Sequence, residues 1–340
     1  MLIPASPTAA ALSSAPQMLL HAQETRKILM RLHYLPLIPV DFLGLHGHIH
    51  HSYRWRFKIP RALQALASSD AWQDPWNPLV IGALYQFEAV HDLPIVPGTM
   101  GIRGLPVAIE KALLHARKKD PDPWTWILVT KFPRPEEIHL FMAGRGWIFQ
   151  SKANTGVMHA TPDGTWPIYA RDTHTAMIGR FPIPVSKAQV RLYEAAKSAG
   201  YALQSVHYAR YHHHWVQYQH YDDPDIRWVN YFDRGRAVHF YPRASYGFPQ
   251  SAGCVEIPKN AARKIYGLIH YGTPVTISHG AIGPWDPPGS SYLEAPLNIQ
   301  QFHLAYREIP SKSSPRSVDL QLVETAVTRS PPKTLDAASR

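Results

Sequence analysis

The spacing of apolar residues changes character across residues 118–123, and this change limits the fold more than any other feature of the chain. Ahead of it apolar residues recur at helical intervals; beyond it they alternate as they do in strands. The segment itself, Lys118-Lys119-Asp120-Pro121-Asp122-Pro123, is charged, carries two prolines and reads as a linker. A chain of 340 residues has room for about two domains. A helical domain over 24–117 followed by a strand-rich domain over 124–278 is the expected division.

In the first third, Ile28, Leu29, Leu32 and Leu35 place a helix over 23–33, which Pro36 and Pro39 stop. A loop carrying the His-rich run 45–52 follows, then a second helix over 60–69. Asn77 is a good N-cap and Pro78 suits the first helical position, so a third helix starts there with Val80, Leu84, Phe87 and Val90 on one stripe. A fourth, over 105–117, buries Val107, Ile109, Leu113 and Leu114. Past the linker, residues 124–131, 137–143, 146–156 and 165–171 read as strands, with a hairpin turn at 143–146. Ser186 and Gln189 have capping-box spacing and open a helix that Gly200 closes. Strand pattern returns at 227–232, 236–241 and 273–278, with a helix over 258–270. Residues 279–309 are apolar enough, through Tyr292, Leu297, Phe302, Leu304 and Tyr306, to pack on the core, and 310–340 read as a disordered tail. Residues 1–23 lack the basic start of a secretory signal and read as a disordered leader or a signal remnant.

Composition narrows the classes. No apolar run reaches the ~18–20 residues of a membrane-spanning helix, so no integral membrane segment is expected. The formal charge of +10 favours an anionic partner: nucleic acid, an acidic membrane or a wall polymer. Nucleic acid is not the expected one, because the basic residues are scattered and no recognition motif is present. The runs His46–His51 and His212–His214 have ligand-like density, but adjacent histidines on a strand point to opposite faces, and neither run has a cysteine or a His-Glu-x-x-His partner. A zinc site is therefore not expected.

The single cysteine, Cys254, forbids an intrachain disulfide and a four-thiolate metal site. It is either a buried bystander or a reagent. His239 lies 15 positions ahead of it, and an imidazole can take a thiol proton and later return it to a leaving amine. The small residues of Ser251-Ala252-Gly253-Cys254 let backbone N–H groups approach a substrate oxygen.

These residues, His239, Gly247, Ser251, Gly253 and Cys254, resemble the active-site signature of the L,D-transpeptidase (YkuD-like) family. The segment 270–277 (HYGTPVTI) is similar to that family's closing strand, and 153–156 (ANTG) with 161–168 (TPDGTWPI) to its upstream segments. In the first third, 29–37, 83–94 and 109–114 resemble a peptidoglycan-binding-like helical domain, with His33 and Asp92 where glycines are common. The implied fold is multidomain: an N-terminal all-α peptidoglycan-binding-like bundle, then a mainly β sandwich with a helical insertion at 182–227.

The resemblance implies a cysteine L,D-transpeptidase acting on peptidoglycan stem peptides in the cell envelope. Cys254 would be the nucleophile and His239 the base and acid, its ring oriented by a backbone carbonyl rather than by an acidic residue. The amides of Gly253 and Cys254 would hold the oxyanion, with Ser251 shaping the loop; Arg243, Tyr246, Gly247 and Phe248 would contact substrate. Water in place of the acceptor amine would make the same pair an L,D-carboxypeptidase, and a decayed site would leave a non-catalytic peptidoglycan-binding protein. Three positions depart from the family pattern: Phe240 for Gly, Ala252 for His, and Glu256 for Arg or Asn. Glu256 could hinder a carboxylate-bearing donor or pair with Arg243. No metal and no organic cofactor is implied; the insertion could be a lid or a surface excursion, and neither the donor stem nor the oligomeric state is implied.

Overall fold

A computed structural model of the chain describes residues 22–43, 49–60, 76–95, 97, 105–211 and 213–278. The expected leader up to residue 21, the helix over 60–69 beyond Pro60, the extension 279–309 and the tail 310–340 lie outside the described residues.

Helix α1 (Ala22–Arg31) forms where the spacing places it and buries Leu29 and Met30. The chain then enters a hairpin, β1 (Leu37–Leu43) with β2 (Ile49–Trp55), in antiparallel register from Leu37↔Trp55 to Leu43↔Ile49. The first third is thus not the all-α bundle expected, and 49–52 belong to a strand rather than a loop. Pro36 and Pro39 do stop the helix, but a two-stranded sheet consists only of edges, where a residue without an N–H is tolerated. Helix α2 (Pro78–Val90) starts at the expected cap: Asn77 Oδ1 accepts from the amides of Leu79 at 3.0 Å and Val80 at 3.2 Å. Every residue from Pro78 to Glu88 is buried. Gly82 lets this helix press against Gly272, whose φ is +74°; a Cβ on either glycine would collide with the backbone of the other. Helix α3 (Val107–His115) buries Ile109 and Leu113 as expected, whereas Leu114 is 41% exposed and Glu110 is buried in its place.

The remainder forms two five-stranded sheets. Strands β3 (Thr125–Thr130), β4 (Glu137–Met142), β5 (Gly146–Lys152), β6 (Gly164–Pro167) and the last strand, β12 (Pro274–Ser278), make one, in the order β5-β4-β3-β12-β6. The other is β11 (Val255–Ile257), β10 (Arg236–Phe240), β9 (His214–Asp233) and β7 (Ala170–Val185), with β8 (Tyr208–Tyr211) also on β9. Helix α4 (Lys187–Ser198) has the expected capping box between Ser186 and Gln189, and α5 (Lys259–Leu268) leads back to β12.

Strand β3 shows how the layers stack. Ile127 and Val129 join a core with Val238, Val255 and Ile257 of the second sheet. Trp126 and Leu128, on the opposite face, join Leu29, Leu35, Leu84 and Phe87 of the N-terminal helices. The first sheet is therefore covered on both sides, and its strand is buried throughout. The segment 118–123 is tied into this packing. The Asp120 amide donates to Leu32 O at 2.9 Å, and Gln86 Nε2 donates to Asp120 at 3.1 Å and Asp122 at 2.9 Å.

Two buried ionisable groups tie this packing to pH. Neither carboxylate oxygen of Glu88 has a partner among the described residues, and burial pushes its carboxyl up to about 8. The folded protein keeps a proton there that the unfolded chain gives up, so stability is fullest below pH 4.5 and is lost as pH rises toward 8. Glu88→Gln should remove that loss: thermal melts at pH 8 should show the variant more stable than wild type, with the difference gone at pH 4. His139 has the opposite sign. Burial lowers it to about 4, outweighing Glu137, 3.4 Å away and 28% exposed, so stability is lost as pH falls from 6.5 toward 4. His139→Gln should flatten the acid limb of the same titration.

Candidate active site

Strands β10 and β11 run parallel, with Val238↔Val255, His239↔Glu256 and Phe240↔Ile257 in register. Val238, Val255 and Ile257 fill the core between the sheets, so by alternation His239 and Glu256 project from the other face. The pairing of β10 with β9 is irregular between Arg236 and Ala237 and again between Val238 and Phe240. His239 thus sits inside a bulge, a device that re-aims a side chain. Its Nδ1 is 3.0 Å from the Phe240 carbonyl oxygen. A carbonyl only accepts, so Nδ1 carries the proton and Nε2 presents a lone pair. The ring is wholly buried, and Nε2 has no partner among the described residues.

Cys254 lies two positions before Glu256, at the end of a loop held by side-chain hydroxyls. Ser251 Oγ accepts from the Gly253 amide at 3.0 Å and donates to the Cys254 carbonyl at 2.6 Å. Thr161 Oγ1 donates to the Gly253 carbonyl at 2.8 Å and accepts from the Gly156 amide at 2.7 Å. Gly156 pairs with Ser251, and a Cβ on it would come within 2.9 Å of the Gly253 backbone. The preceding residue, Thr155, is fixed by Glu136, which accepts from its amide at 2.7 Å and its hydroxyl at 3.0 Å. The segments 153–156 and 161–168 therefore brace the cysteine loop. Glu136 had no signal in the sequence, because its partner lies 19 residues away and is chosen by strand register.

Burial dominates the electrostatics. Cys254 is 2% exposed, and its thiol is pushed up to about 12, although the Ala237 amide donates to the sulfur and Arg236 acts in the other direction. Burial likewise lowers His239, with Glu256 opposing it. Both groups rest neutral, since an ion pair would place two charges in a dry site. A thiol with its proton, an imidazole with a bare Nε2 and a loop of small residues with backbone N–H groups can together perform nucleophilic acyl transfer.

The four residues expected to touch substrate are placed unequally. Phe248 is 38% exposed. Gly247 is buried: its amide is 2.9 Å from Asn154 Oδ1, and a Cβ on it would meet Pro135. The Tyr246 hydroxyl donates to the Tyr241 carbonyl. Arg243 grips Glu256 through two bonds of 2.8 Å, with both side chains almost wholly buried, and lies over the Tyr241 ring. The departure at Glu256 is thus matched by a counter-charge within the chain.

The insertion follows the two long strands. Beyond the core, β7 and β9 continue as a ribbon to Val185↔Trp215, and Phe181, Ile183 and Tyr221 pack with Ala252 beside the cysteine. His213 and His214 are exposed at the ribbon's far turn; His46–His48 and His212 lie outside the described residues. Among the described residues no three metal-binding side chains cluster, and no helix is long and apolar enough to cross a membrane.

Breaking one side of a buried ion pair strands the other charge, at a cost of ~3–5 kcal/mol. Arg243→Met should lower stability by about that amount in urea unfolding, and Arg243→Met combined with Glu256→Leu should recover most of it. An undiminished midpoint in the single variant would mean that the pair contributes nothing.

Several solved structures align with this chain. An L,D-transpeptidase from Mycobacterium smegmatis aligns at 16% identity and TM-score 0.30, over 45% of this chain and 59% of its own. L,D-transpeptidase 3 from Mycobacterium tuberculosis, carrying a faropenem-derived adduct, aligns at 16% and 0.32, over 48% and 62%. An L,D-transpeptidase from Stackebrandtia nassauensis aligns at 14% and 0.27, over 63% and 69%. The chain spans about three fifths of the length of the first two. No curated protein matches it. The family model for YkuD, the L,D-transpeptidase catalytic domain, matches residues 134–277, which hold His239, Cys254 and the bracing segments.

Proposed function

We propose that the chain is a cysteine acyltransferase of the cell envelope that acts on peptidoglycan stem peptides. The observation that carries this reading is the pairing of β10 with β11 inside the matched segment, which sets a neutral His239, its Nε2 bare, beside the strand that directly follows Cys254. Cys254 attacks the carbonyl between the third residue of a stem and its terminal D-alanine. The thiol proton passes to His239 Nε2, and the amides of Gly253 and Cys254 face the oxyanion. Collapse of the tetrahedral adduct forms a thioester, and His239 returns the proton to the departing D-alanine amine. The side-chain amine of a second stem then attacks, releasing the thiol and linking two third residues.

The amide of Gly253 is held by Ser251 in the resting loop, so the loop must shift for that amide to serve the oxyanion. Phe181 and Tyr221 cover the same loop, so the ribbon acts as a lid that lifts to admit the stem. The N-terminal layer braces the sheet beneath the site. Water as acceptor gives the carboxypeptidase outcome with the same residues.

Intact mass after incubation with a carbapenem tests the nucleophile. Wild type should gain one adduct and Cys254→Ala none, with both folded. His239→Ala should acylate at least 100-fold more slowly, the scale of a lost general base. Normal acylation in that variant would remove His239 from the mechanism. A folded wild type that takes no adduct would leave a non-catalytic wall-binding protein as the reading.

A further inference from the structure

A thiol held neutral in a dry site needs something to accept negative charge on its sulfur before it can attack. Glu256, His239, Tyr169, Tyr231, Asp233 and Arg236 are the titratable and charged groups placed around Cys254 by the strands packed on it. One of them is a cation without an assigned purpose. In the parallel register Val238 stands beside Val255, so one step back brings Ala237 beside Cys254, and a second brings Arg236 beside Gly253. Ala237 pairs with Tyr231 of β9 just after the irregularity at Arg236, and its amide favours negative charge on the Cys254 sulfur.

The Arg236 head group is fixed at the same floor. Its Nε donates to the Ala160 carbonyl at 2.8 Å, and Nη1 meets Asp233 at 2.7 Å. Ala160 and the Gly253 backbone both crowd Gly156, within 2.7 and 2.9 Å of a Cβ built there, so the anchoring carbonyl belongs to the packing under the cysteine loop. The guanidinium side chain is 21% exposed, little screened by water.

Resting on the reading of Cys254 as nucleophile, we infer that Arg236 is a positioning residue for thiolate formation: anchored by Asp233 and the Ala160 carbonyl, it lends positive potential to the sulfur while the Ala237 amide donates to it. When the thiol proton moves to His239 Nε2, the sulfur gains the negative charge and the ring becomes a cation. The fixed guanidinium and the amide favour the first half of that separation. Asp233 has the opposing part, drawing potential away from the sulfur as it holds the arginine in place.

The opposed signs give the test. The chain has one cysteine, so alkylation by iodoacetamide, followed by intact mass at pH 8, reads Cys254 alone. Arg236→Gln should slow alkylation about tenfold, the effect of a nearby charge worth one pKa unit, and Arg236→Lys should restore most of the rate. Asp233→Asn should speed it, because the arginine keeps its charge and loses its counter-charge. A salt bridge with only a structural role predicts that both partners' variants change the rate in the same direction, and that result overturns the inference. So does an unchanged rate in Arg236→Gln. If Arg236→Gln does not fold, the Asp233→Asn arm decides alone: a rate equal to or below wild type rejects the inference. Carbapenem acylation of wild type separates the two readings. No adduct, with the opposed alkylation shifts present, would sink the transpeptidase reading and leave Arg236 as inferred.

Discussion

Strand β3 is enclosed from both sides, and the rest of the molecule is organised around that enclosure. Its odd residues face the second sheet and its even ones the N-terminal helices, so a single six-residue strand contributes to two cores. Such a strand has no solvent side to vary. α2 is correspondingly buried on every side from Pro78 to Glu88, because it too lies between layers rather than on a surface. The Gly82–Gly272 contact is where that helix comes nearest the backbone leading into β12. Because β12 is parallel to β3 and follows α5, the N-terminal helices support the same sheet whose opposite face carries the core under β10 and β11.

The site is a study in what a dry environment does to acid–base chemistry. Burial moves the thiol and the imidazole in opposite directions, each toward its neutral form. The buried charges that remain nearby come as pairs: Arg243 with Glu256 and Arg236 with Asp233. The first pair stands behind His239, where its two members act on the ring in opposite senses, Glu256 the more strongly. The second stands behind Cys254. An imidazole oriented by a carbonyl needs no acidic partner, which suits a site where a third buried charge would be costly.

Local signals were the legible ones. Asn77 with Pro78 and Ser186 with Gln189 marked helix starts that depend only on neighbouring backbone, and the cysteine loop showed in its run of small residues. Glu256 was visible as an oddity, with Arg243 as one of its two explanations. What could not be read depends on register. Glu136 and Thr155 meet only because β4 and β5 pair, and Arg236 reaches Ala160 across 76 residues. The hairpin over 37–55 hid behind two prolines and a histidine run. The long ribbon was read as short pieces because Pro182, Pro184 and Pro224 interrupt its alternation, although β7 and β9 span 16 and 20 residues. Leu114 faced outward because helical spacing fixes a stripe's period and not its width.

The seclusion of Cys254 has a chemical consequence of its own. Peroxides and other electrophiles attack a thiolate that they can reach, and oxidation to the sulfinic or sulfonic acid would be irreversible. A thiol kept protonated under Phe181, Ile183 and Tyr221 presents little of the charge and access that such reagents exploit. The chain has no second cysteine to rescue a sulfenic acid as a disulfide. Its only sulfhydryl is therefore kept latent by the same packing that buries it.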